Sequence, residues 1–205
     1  MEIVNMFNKV LGWVIENKIE IFGVLTLLAY LYFSIKQNSL LWFFGLIGSL
    51  LYVYIYHSVK LYADMGLQVY YVIISIYGWI YWKVGKQQND KPIEIKFTNK
   101  ALAIQLIWIT TVLFFAISYI LNTFTDASLP YWDALTTAGG ITATWMLARK
   151  YIEHWLIWVI VDLISLVMYI YKGLYITSVL FVIYTAMAIV GYIEWKKSVL
   201  IAVQK

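Results

Sequence analysis

Residues 154–172 read HWLIWVIVDLISLVMYIYK, and this stretch decides the fold. From Trp155 to Tyr171 it is almost continuously apolar, and its one carboxylate is Asp162. A helix needs roughly 20 such residues to cross the hydrocarbon core of a bilayer. Asp162 falls near the middle of that length, at the depth of the bilayer midplane. A carboxylate there costs about 2.5–3.5 kcal/mol on insertion scales, so it normally faces the interior of a helix bundle and serves a function.

The rest of the chain agrees with a lipid solvent. Hydrophobic residues make up 63% of the 205 residues, and the mean hydropathy is +0.77. Such a chain cannot cover itself with a polar surface. Outward from 154–172, seven spans are expected, at about 20–36, 40–57, 61–83, 101–121, 131–149, 152–172 and 174–195. Residues 1–18, with IVNMFNKVLGWVIEN at 3–17, read as an amphipathic helix lying on the membrane. No cleavable signal peptide is expected, because the first apolar run lacks a small-residue cleavage site. Pro92 and Pro130 both fall between spans. The one long polar connection is 84–100, and 196–205 reads as a tail.

The basic residues orient this bundle. Lys36, Lys83, Lys86, Lys91, Lys96, Lys100, Arg149, Lys150, Lys196, Lys197 and Lys205 fall on one side, and Lys9, Lys18, Lys60 and Lys172 on the other. The richer side is cytoplasmic by the positive-inside rule. The N-terminus is therefore expected outside and the C-terminus inside, as in a multi-pass protein of a bacterial inner membrane. The net charge of +4 is thus a topology signal, and no nucleic-acid partner is implied. With no Cys and two His, His57 and His154, neither a disulfide framework nor a metal site is expected. Both His lie near span ends, where solvated or interfacial roles are expected. Trp82, Trp132, Trp145 and Trp195, also at span ends, are expected in the interfacial aromatic belt. The Gly45/Gly48 and Gly139-Gly140 pairs are expected where helices pack closely, and Asp133 at the start of a helix, where a carboxylate is locally favourable.

An internal repeat is visible. Adding 113 to the residue number carries Leu61-Tyr62 onto Leu174-Tyr175, Tyr71 onto Tyr184, Gly78 onto Gly191 and Trp82 onto Trp195. Adding 116 carries Trp42 onto Trp158 and Ser49 onto Ser165. The expected fold is therefore an all-α membrane protein whose seven transmembrane helices form two parallel three-helix repeats, 19–83 and 131–195. The linking helix 101–121 joins them in a 3+1+3 order. Parallel repeats of this kind hold a site between them near the midplane.

Two helix faces supply that site. Gln68, Tyr71, Ser75 and Trp82 share one face of the third span, and Trp155, Trp158, Asp162 and Ser165 share one face of the sixth. Tyr184 is the repeat partner of Tyr71. Aromatic faces attract cations by about 2 kcal/mol or more when desolvated, so a planar, cationic, hydrogen-bonding solute suits these stripes. A retinal-type photoreceptor would need a lysine within 174–195, and there is none. An intramembrane enzyme would need paired acids or a Ser/His set at membrane depth. No catalytic residue is expected, and no cofactor.

At these residues the chain resembles the PnuC family of vitamin transporters, relatives of the SWEET sugar transporters. The matching stretches are LYADMGLQVYYVIISIYGWIYW at 61–82, LPYWDAL at 129–135 and ARKYIEHWLIWVIVDLISLVMYIYKGLY at 148–175. The resemblance implies a SWEET-like 3+1+3 homotrimer that carries nicotinamide riboside, thiamine or riboflavin by facilitated diffusion. A cytoplasmic kinase would trap the solute by phosphorylation. It also implies a solute site at Gln68, Tyr71, Trp155, Trp158 and position 162. There is one departure. Nicotinamide riboside carriers of the family have Trp-x-x-x-Asn where this chain has Trp158-Val-Ile-Val-Asp162. An ionised Asp only accepts hydrogen bonds, which suits a cation with amino donors. Nicotinamide riboside stands slightly ahead of thiamine, and proton coupling through Asp162 is the alternative to uniport.

Overall fold

The computed structural model describes residues 18–58, 62–89 and 93–203. The expected amphipathic helix at 3–17 lies outside the described residues. Seven helices are described: α1 Lys18–Ile35, α2 Leu40–Ser58, α3 Tyr62–Asn89, α4 Lys100–Phe124, α5 Pro130–Ala148, α6 His154–Tyr171 and α7 Tyr175–Val203. By length and composition, α4, α6 and the segment Thr177–Ile201 of α7 are long and apolar enough to cross a membrane, and Ile21–Ile35 and Leu40–Ile55 are shorter apolar helices. α3 continues through residues read as loop, to Asn89, and α7 continues through the expected tail to Val203. Hydropathy marks where lipid ends, and a helix need not stop there.

The chain divides into two units, the first ending at Val72 and the second beginning at Ile73, within α3. In the first unit α1 packs on α2. The tighter glycine there is Gly23, where a Cβ would sit 3.2 Å from the Tyr52 hydroxyl, while a Cβ on Gly48 would meet the Thr26 methyl at an ordinary contact distance of 3.4 Å. Leu41 and Trp42 at the start of α2 are fully buried.

In the second unit α4 packs on α5, α5 on α6, and α6 on α7. The sequence of α5, PYWDALTTAGGITATWMLA, explains its inner place. Its buried residues are mostly Ala, Gly and Thr, which let neighbouring backbones approach where burial of oil alone gives no drive. A Cβ on Gly139 would lie 2.8 Å from Val161 of α6, so the Gly139-Gly140 pair packs as expected. By contrast, α4 buries only Leu106 and Ser118.

Three helices end in the same left-handed cap. In α5 the Lys150 N–H reaches Leu147 O at 2.9 Å and the Tyr151 N–H reaches Met146 O at 2.9 Å. The same pattern closes α1 at Gln37 and α6 at Gly173. The residue in the cap has φ of 53° at Gln37, 58° at Lys150 and 73° at Gly173. Glycine normally holds this position, because a side chain there costs about 1–2 kcal/mol. At Lys150 a lysine holds it. Its ammonium lies 4.5 Å from the centre of the Trp82 ring, and the Trp82 Nε1–H donates to Ala148 O at 3.0 Å.

The residues just before α4 are strapped to this corner. The Lys96 N–H donates to Lys150 O at 2.9 Å, and Lys96 O accepts from the Ile152 N–H at 3.0 Å, forming a parallel bridge between Lys96 and Tyr151. The Glu153 carboxylate accepts from the Thr98 N–H at 3.0 and 3.1 Å and from the Thr98 hydroxyl at 2.7 Å.

Candidate solute site

α6 carries the candidate site of the second unit. Its spacing turns Trp155, Asp162, Ser165 and Met168 inward, and all four are buried. Asp162 retains 6% of its surface. Among the described residues no hydrogen bond or ion pair reaches its carboxylate. A buried carboxylate without a partner is costly, and such groups persist where they bind something. Trp158, one turn before Asp162, is half-buried, as is Tyr184 on α7. Tyr184 meets the Phe181 ring edge-on at 5.6 Å, and Phe181 stacks on Tyr169 of α6 at 5.0 Å. Ser75 on α3 is buried in the same unit. Gln68 and Tyr71 belong to the first unit, where both are half-buried.

The start of α6 is packed more tightly than a span end suggests. Trp155 is 1% exposed, and its indole lies against Gly191 of α7, where a Cβ would come within 2.6 Å of the ring. His154 was expected at an interface and is instead fully buried. Its ring sits 4.5 Å from that of Trp155 and 4.9 Å from that of Trp195, and its Nδ1 is 2.7 Å from Tyr151 O. Trp82 and Trp195, expected in the belt, are buried too, at 6% and 0% exposure. Gly191 makes room for the Trp155 indole, and the rings of His154 and Trp195 close on that indole, the first tilted and the second edge-on. Trp82 is held instead by Ala148 O and by the Lys150 ammonium over its ring. Trp132 remains half exposed, as a belt residue should. Asp133, at the start of α5, pairs with Lys172 at 3.8 Å. Among the described residues no group of His, Asp and Glu could hold a metal.

Apolar helices around a buried acid and an aromatic face define a multi-pass membrane transporter as the class, and comparison with known proteins agrees. The profile of the nicotinamide mononucleotide transporter family matches residues 17–197, and the chain belongs to that family. It is similar to the nicotinamide riboside transporter PnuC of Escherichia coli (strain K12), with 29% identity over 181 residues, covering 77% of this chain and 76% of that one. It is also similar to the riboflavin/roseoflavin transporter RibM of Streptomyces davaonensis, with 26% identity over 135 residues, covering 65% and 63%. The crystal structure of the vitamin B3 transporter PnuC matches with a TM-score of 0.72 at 21% identity, over 94% of this chain and 86% of that one. That likeness establishes the fold.

Proposed function

We propose that this protein is a uniporter for a cationic B-type vitamin, with nicotinamide riboside slightly preferred and thiamine nearly equal. The observation that carries this reading is the buried Asp162 carboxylate, which no described residue partners. A cationic ring is the chemistry that such a group accepts, and Trp155, Trp158 and Tyr184 supply the aromatic surface beside it. Ser75, in the same unit, adds a hydroxyl, and Gln68 and Tyr71 are the solute-binding residues of the first unit in this reading. Relatives named as nicotinamide riboside transporters support the first solute. Asp162 in place of Asn keeps thiamine beside it, because an acceptor suits amino donors.

The protein works as a homotrimer of SWEET-like 3+1+3 subunits in the inner membrane, with the N-terminus outside and residues 84–100 facing the cytoplasm. A cytoplasmic kinase consumes free solute and so maintains the gradient. The deciding experiment titrates purified protein with nicotinamide riboside and thiamine side by side, reading intrinsic tryptophan fluorescence. Saturable binding of at least one is expected, and binding of neither would sink the reading. Proton coupling is the second reading, because an unpartnered buried carboxylate is also a place for a proton.

A further inference from the structure

A cavity of about 450 Å³ opens beside α5, within the second unit and away from the inward face of α6. α4 and α6 each pack on α5 and, among the described residues, make no packing contact with each other. A groove therefore runs between them. Gly139 and Thr142 floor it, Ile107 forms one wall and Ile157 the other. The Thr110 and Thr142 hydroxyls, 2.7 Å apart, tie wall to floor.

The two ends of this groove differ. At one end Thr98 and Glu153 line it, and two lysines flank that mouth. Lys100 begins α4 and shares a helix stripe with Ala103, Ile107 and Thr111, all lining residues. Lys96 lies two residues before Thr98 in extended chain, which puts both on one side. Both lysines are exposed, and no ion pair among the described residues involves either. Glu153, the one acid among the lining residues, accepts three hydrogen bonds from Thr98, and the exposed Glu94 falls on the side of Lys96 by the same two-residue period. From Lys100 to Thr111 the stripe rises about 16 Å. That is half of a hydrocarbon core of about 30 Å, the depth of one leaflet.

We propose that this groove is a binding site for an anionic phospholipid of the leaflet on the lysine-rich side. One acyl chain lies between α4 and α6, and the phosphate meets Lys96 and Lys100. The charge complementarity selects the headgroup, and the depth selects one chain of one leaflet. The site depends on the membrane setting alone and not on which solute the protein carries.

The test is native mass spectrometry of the delipidated protein with phosphatidylglycerol, phosphatidylethanolamine or phosphatidylcholine of identical chains. Phosphatidylglycerol should bind about tenfold more tightly than phosphatidylcholine. Lys96→Gln with Lys100→Gln should bring the ratio near one while leaving weak binding of all three lipids. These two exposed positions put little of the fold at risk, so the pair decides the headgroup even if other variants misfold. Ala103→Phe, which fills the groove, should remove the tight site. Equal binding of phosphatidylglycerol and phosphatidylcholine would overturn the assignment. So would tighter binding of phosphatidylethanolamine, which would make Glu153 the selecting group. Selectivity that survives Ala103→Phe would place the lipid elsewhere, and a smaller oligomer in that variant would make the groove a contact between copies.

Discussion

Asp162 sets the strongest expectation at the scale of single residues. Removing its charge while keeping its shape, as Asp162→Asn does, should weaken thiamine binding at least about tenfold and weaken nicotinamide riboside binding less. The amide can still accept from an amino group, but it no longer attracts the ring charge. Paired titrations of both solutes measure this, and unchanged affinity for both would remove Asp162 from the site. Lys150 makes a different prediction. Burial lowers its pKa from the ordinary 10.5 to about 8. The folded chain thus holds this proton less tightly than the unfolded chain. The penalty is full below about pH 8, and stability rises as pH increases from about 8 towards 10.5. The melting temperature of the purified protein should climb by a few degrees across that window. Lys150→Met should flatten the climb; the same climb in Lys150→Met would assign it to another group.

Among the helices, α6 and α7 meet through the indole of Trp155 and the bare backbone of Gly191. Gly191→Ala should cost about 2 kcal/mol, because overpacking forces a bulky ring off its position. Gly66→Ala, on α3, meets nothing within 4 Å and should be neutral or stabilising by about 0.5–1 kcal/mol, since alanine is the better helix residue. Thermal denaturation of both variants in one detergent checks the contrast; equal shifts would mean the indole moves freely aside. This contact also shows what the sequence could say. Hydropathy located all seven helices, and spacing placed Trp155, Asp162 and Ser165 on the inner face of α6. His154, Trp82 and Trp195 depart from the span-end reading, because position along a span does not show which partner a ring meets. Trp82 bonds to Ala148 O, and His154 and Trp195 close on the Trp155 indole. The Trp82/Trp195 correspondence was the signal available, since both tryptophans are buried. The strap from Lys96 to Tyr151 left no trace in the sequence, because a single bridge has no period. The limits of α3 and α7 were hidden for a related reason, since a helix continuing into water keeps its hydrogen bonds and loses only its oiliness.

For the molecule as a whole, the expectation is equilibration without an obligatory ion. Asp162 is the one acid in the middle of an expected span, and a coupled carrier must bind two partners. In proteoliposomes lacking any kinase, labelled solute should equilibrate with the lumen and exchange with unlabelled solute. A potential should bias its distribution by about 2.3 kcal/mol per 100 mV for one charge. Accumulation driven by a proton gradient at zero potential would instead favour the coupled reading. Orientation is checked with a cysteine at Gln88, which should stay unlabelled by an impermeant reagent in intact cells. The strap before α4 bears on how the gene could be divided. Both of its partners, 96–98 and 150–153, lie downstream of residue 93, so a break at 92 leaves the strap intact within the second piece. Trp82, which docks on Ala148 O, stays on the first piece as a hook. Two open reading frames encoding 1–92 and 93–205, expressed together, should therefore yield a working split transporter, whereas a break at 99 would separate the halves of the strap and yield none.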